Sequence, residues 1–164
     1  MRFDNKTDSQ IESWASNFEK AGRTDHPDYA AIVAERARRR QVKQKLSFEL
    51  SLEHLKVRAI EGKFTTYGDL AAASGVEWSH ARHQMNGPKG HLDTLLDVCR
   101  TQGLPLLTAI CVNRENLGTG TLGEDALSGF ADGARRLGIT VGDEEEFHAR
   151  CVEECFNWGR KQRT

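Results

Sequence analysis

The stretch that decides the reading of this chain is Thr65-Thr66-Tyr67-Gly68-Asp69-Leu70-Ala71-Ala72-Ala73-Ser74-Gly75-Val76-Glu77-Trp78-Ser79-His80-Ala81-Arg82-His83-Gln84-Met85. A β-prone pair leads into a short Ala-rich helix that Gly75 closes, and Val76 to Ser79 leads into a second short helix, His80 to Met85. Two short helices split by a glycine make a helix-turn-helix pattern, although tight αα turns also occur in plain helical cores. The pattern has a physical logic. The first helix must be slim to pack closely, hence Ala71-Ala72-Ala73, and the second must carry long donors, here Arg82, His83 and Gln84, that reach base edges or phosphates.

Outward from this centre the chain reads as helix. Towards the N-terminus, Ile11, Trp14, Ala15 and Phe18 recur at i, i+3, i+4 and i+7, and Gly22 with Thr24 to Pro27 ends that segment. Pro27 then starts a second helix with Tyr29, Ile32, Val33 and Ala37 on its apolar face. Phe48, Leu52, Leu55 and Ala59 give a third stripe, with a short strand before Ser51 as an alternative. Towards the C-terminus, Asn86-Gly87-Pro88-Lys89-Gly90 is a turn, and Leu92, Leu95, Leu96 and Cys99 mark a helix. Leu106 to Val112 reads as a buried strand, Asn113 to Gly123 as a loop, Leu127 to Ala134 as a helix, and Asp143 to Trp158 as the last helix. The fold class expected is mainly α with a small β component, a winged-helix-like centre flanked by N- and C-terminal helices. Residues 1–46 form an N-terminal helical region and 47–164 the winged-helix-like part, together one compact unit.

Composition bounds the function. In 164 residues, 38% hydrophobic and 29% charged, the chain has room for one ordinary globular core and carries no membrane-length apolar run. Met1 to Asp8 lacks the apolar run of a signal peptide, and Cys99, Cys111, Cys151 and Cys155 have no framework spacing, so reduced thiols and a cytoplasmic location are expected. Net charge is −1, yet Arg36, Arg38, Arg39, Arg40, Lys43 and Lys45 fall within ten residues that hold no acid. That block is either a phosphate-binding stripe or a solvated helix face that pairs with acidic neighbours.

Lys63 to Ala71 resembles the start of the winged-helix DNA-binding domain of alkylguanine-DNA alkyltransferases and alkyltransferase-like proteins, a likeness that covers residues 62–83. It implies DNA as partner. The family's tyrosine, which helps rotate a nucleotide out of the duplex, maps to Tyr67. Its arginine, which fills the vacated space, maps to Arg82 if one residue is inserted before it. The family's Pro-Cys-His-Arg motif is missing: Cys111-Val112-Asn113-Arg114 has Val112 where the activating histidine belongs. A thiol without a base stays mostly protonated near neutral pH, so Cys111 reads as core and alkyl transfer is not expected. Residues 64–158 also resemble a group of bacterial and phage proteins with a "tYG-x-L-A" segment and an "lPpLTalVVn" strand, a likeness that brings no activity.

Other arrangements carry less. His148, Cys151 and Cys155 share a helix face but lack the second ligand pair of a structural zinc site. Asp69, Glu77 and His80 have no recognisable metal spacing. Gly118, Gly120 and Gly123 match G-x-G-x-x-G, but Glu124-Asp125 at the next helix start would repel a phosphate, so a wing or connecting loop fits better. No catalytic residue, metal or cofactor is assigned. The expected function is non-enzymatic DNA binding, duplex favoured. Tyr67 and Arg82 lead, Trp78, His80, His83, Gln84 and Lys89 follow, and Arg36, Arg38, Arg39, Arg40 and Lys43 supply phosphate contacts. A protein–protein adaptor in bacterial or phage defence, and a repair or nuclease enzyme, stand as alternatives.

Overall fold

The computed structural model describes residues 2–163 and is mainly helical, with one two-stranded parallel sheet. Helix α1 (Asp8–Lys20) starts in a reciprocal capping box between Thr7 and Gln10. Helix α2 (Pro27–Val42) has proline in its first turn, and His26 accepts a hydrogen bond from the Asp28 amide. Ser47 caps α3 (Phe48–Glu61), which runs as helix through the stretch where a strand was an alternative. Strand β1 (Thr65–Thr66) leads directly into α4 (Tyr67–Ala73), followed by α5 (Trp78–Met85) and α6 (His91–Thr101). Strand β2 (Cys111–Val112), α7 (Glu124–Arg136) and α8 (Glu144–Gln162) complete the chain.

The run 106–112, expected as a buried strand, is instead a 3-10 turn over Leu107–Ile110 with only Cys111–Val112 extended. All of these residues are buried, so the apolar run was real, but an unbroken apolar run does not distinguish a strand from other buried backbone. The physical limit is the partner. β1 pairs Thr65 with Cys111 and Thr66 with Val112, and helix α4 begins at Tyr67. A longer strand would leave its amides unpaired, whereas the 3-10 turn satisfies them locally, as in the Ala109 amide donating to the Leu106 carbonyl at 2.9 Å. The loop 113–123 likewise contains a 3-10 turn at Arg114–Asn116 and simply joins β2 to α7.

One buried cluster runs from Ile11 to Cys155, so α1 and α2 share a core with the rest. α3 packs along α8, and α2 packs on α6. Within this core lies a charged set. Asp97 of α6, 1% exposed, binds Arg36 of α2 through one carboxylate oxygen and Arg136 of α7 through the other, each at 2.5 Å. Glu19 of α1 closes the set, 2.9 Å from Arg136 and 3.4 Å from Arg36, and accepts the Tyr29 hydroxyl at 2.6 Å. Burial drives the Asp97 carboxyl upward against the pull of Arg136 and Arg36. Burial also opposes charge on Arg36, but Asp97 and Glu19 overturn it and hold the guanidinium above its ordinary value. Removing one member of such a set leaves a buried charge uncompensated. Asp97→Asn is therefore expected to lower stability by about 3–5 kcal/mol, whereas exposed Arg38→Ala should leave it nearly unchanged, measured by urea unfolding. Equal effects at the two positions would refute this account.

His91 opens α6 fully buried, stacked on Phe48 at 4.8 Å. Its Nε2 lies 2.7 Å from the Ser51 hydroxyl and its Nδ1 2.9 Å from Gln44 Oε1. A neutral ring that accepts from Ser51 and donates to Gln44 satisfies both contacts. Burial pushes its pKa down to about 4. With the folded value below the unfolded 6.5, its contribution is complete above that pH and is lost as pH falls towards about 4, for about 3 kcal/mol in all. Unfolding midpoints measured between pH 7.5 and 4 should fall more steeply for the wild type than for His91→Gln; parallel slopes would show that the ring is not held neutral.

Candidate nucleic-acid interface and an adjoining cleft

Two short helices form where the helix-turn-helix pattern was expected, α5 starting at Trp78 instead of His80, and they are joined at Gly75, whose φ of 71° is the left-handed conformation that glycine adopts freely. Thr66 caps α4 by accepting from the Asp69 amide. Leu70 and Ala71 are fully buried while Ala72 is exposed, so only part of the Ala run serves close packing. In α5, Ala81 and Met85 face the core, and Trp78, Ser79, His80, Arg82 and His83 are exposed. Neither Arg82 nor Lys89 makes an ion pair among the described residues. Lys89 sits at φ 63° in the turn after α5, held by its amide donating to Asp93 at 3.0 Å. Gly90 follows because a Cβ there would meet the Asn86 carbonyl oxygen at 2.6 Å.

Two members of the expected set belong elsewhere. Tyr67 is only 7% exposed; its ring stacks beside Trp78 at 6.3 Å, and burial pushes its phenol up. Gln84 is half-buried and accepts from the Lys45 amide at 3.2 Å, a link that tethers the end of the basic block beside α5. Lys45 is thereby an exposed cation next to this helix, a neighbour that spacing alone did not reveal.

The basic block does not form an open stripe. Arg36 is buried in the Asp97 set. Arg40 binds Glu12 at 2.7 Å and donates to Thr94 at 2.8 Å. Arg39 binds Glu35 and Asp8, both at 2.9 Å, and the carbonyls of Lys6 and Phe3. Arg38 pairs with Glu35 and Lys43 with Asp8, although both stay exposed. The block fastens α1 and the N-terminal segment to α2. Its partners lie up to 61 residues away in the chain, too far for local periodicity to show them.

Beside α4 and α5 opens a cleft of about 810 Å³. One wall is Tyr67 with the turn 86–88, the floor is Leu92, Leu96 and Phe130, and the far wall is α7 from Asp125 to Arg136. Thr108, Cys111 and Asn113 close the end. α7 approaches α6 closely at Gly133, where a Cβ would meet a Leu96 methyl at 2.6 Å. Cys111 is 1% exposed, and burial pushes its thiol well above the ordinary range, which leaves it protonated.

The remaining sequence candidates pack. His148 is buried with Nε2 2.8 Å from the Ala109 carbonyl oxygen, and Cys155 donates to the Leu106 carbonyl at 3.3 Å, so this face of α8 grips the 3-10 turn. Gly120 of the G-x-G-x-x-G loop lies against the Phe64 ring. Among the described residues, no three His, Cys, Asp or Glu side chains converge as metal ligands, and no helix is long and apolar enough to cross a membrane. No family model, curated protein or solved structure matches the chain.

Proposed function

We propose that this is a non-enzymatic DNA-binding protein that grips duplex DNA through α5. The observation that carries the reading is a contrast in charge use. The arginines of α2 are spent on carboxylates within the fold, whereas Arg82 and Lys89 point to solvent without an acidic partner. Trp78, His80 and His83 add exposed stacking and hydrogen-bonding groups on the same short helix. The helix-turn-helix arrangement and the likeness of residues 62–83 to alkyltransferase-type domains support it. Arg38 and Lys43, exposed but paired, stand as peripheral phosphate contacts, and Arg36, Arg39 and Arg40 as structural. Four free buried thiols suit a reducing compartment such as the cytoplasm.

A second reading, a protein-interaction module, has its own observation: Leu50 and Val57, two turns apart on α3, are 49% and 44% exposed.

Fluorescence anisotropy against a labelled duplex at low and moderate salt separates the two. Under the DNA reading, binding weakens steeply with salt, and Arg82→Ala loses about tenfold in affinity and lowers the salt slope by about one counterion. Arg36→Met is not informative because it disturbs the core; Arg38→Ala, at a peripheral contact already paired with Glu35, should lose no more than about twofold. No binding at low salt, or an Arg82→Ala protein that binds like the wild type, overturns the assignment to α5.

A further inference from the structure

We infer that the cleft between α6 and α7 is a binding site for a small organic cation, an amine or amidinium carried on a flat apolar body. Charge complementarity is the first argument. Asp93, Asp125 and Asp132 line the cleft against a single cation, Arg136. That cation is already engaged by Glu19, Asp97 and Asp93. Asp93 is itself occupied, with one oxygen on Arg136 and the other on the Lys89 amide. Asp132 is bound on one oxygen by Arg135 at 3.1 Å. Asp125 has no partner among the described residues. The surplus charge of the cleft is therefore negative and rests on α7.

The second argument is independent of charge. Tyr67 and Thr108 line the cleft 7% and 6% exposed, and neither side-chain hydroxyl has a hydrogen-bond partner among the described residues. Neither oxygen is sealed from solvent, and both residues line the cleft. Buried hydroxyls ordinarily find a partner, and a ligand N–H supplies one. The third argument is steric. Gly129 sits inside α7, where glycine is less favourable than alanine, yet a Cβ there would meet nothing within 4 Å. Gly133, one turn on, is required by Leu96; Gly129 is required by no contact and keeps the cleft wall open. Leu92, Leu96 and Phe130 supply the apolar floor, and about 810 Å³ lies within the usual range for small-molecule sites.

Matched probes of one shape and different charge test this: benzamidine and benzylamine against benzyl alcohol and benzoate, followed by amide chemical shifts of the full chain. Both cations should bind in the millimolar range or tighter and shift α6 and α7 amides, with benzyl alcohol at least about fivefold weaker and benzoate silent. Asp125→Asn should weaken the cations about fivefold and Tyr67→Phe about threefold, while Gly129→Leu, which has room and ordinary helical backbone, abolishes binding with the fold intact. Binding indifferent to ligand charge, cation binding that survives Gly129→Leu, or no binding of either cation overturns the proposal. Arg82→Ala should leave cation binding unchanged, so this result stands apart from the outcome with DNA.

Discussion

Asp97 holds an arginine on each of its carboxylate oxygens, and those two arginines come from helices a hundred residues apart in sequence. This one side chain therefore fixes α2 and α7 against α6, and Glu19 extends the same tie to α1. A carboxylate with 1% exposure is costly to bury, and its partners offset that cost only when the geometry is maintained on both oxygens. Other features of the fold follow from it. The N-terminal helices dock as part of the core, and the α6–α7 wall of the cleft is held at a set spacing, with Gly133 allowing the close approach.

Much of the helical organisation was legible in the sequence, because amphipathic spacing and capping residues act locally. Ile11 and Ala15 are buried as their spacing indicated, Pro27 opens α2, and Gly75 separates α4 from α5. What escaped was set by partners distant in the chain. The apolar run 106–112 could not become a full strand because β1 offers only two residues to pair with. The Arg-rich block read as a phosphate-binding stripe or as a solvated face paired with acidic neighbours; it does pair with acids, but Arg36 is buried, because Glu12, Glu19 and Asp97 come from other helices.

The candidate site divides in the same way. Arg82 and His83 lie on the exposed face of α5, as the turn at Gly75 and the apolar positions Ala81 and Met85 implied. Tyr67 was legible as a residue of the same segment but not as the wall of a cleft, because that cleft exists only once α6 and α7 meet. The turn 86–90 belongs to both: it ends α5, and it borders the cleft with Asn86, Gly87 and Pro88. Its backbone holds a left-handed Lys89 followed by a crowded Gly90, so the two surfaces share one turn.

The charged set also governs how this sequence can change over generations. Each arginine in it answers to several carboxylates from different helices, so neutralising one position alone strands a charge in the interior. Single steps at positions 19, 36, 97 and 136 are closed, while concerted replacement of charge and countercharge by apolar groups of matching volume stays open. In a lineage descended from this protein, those four positions would be inherited as a block. The outward residues Arg82 and His83 of α5, which pair with nothing inside the fold, would drift one at a time under whatever they touch.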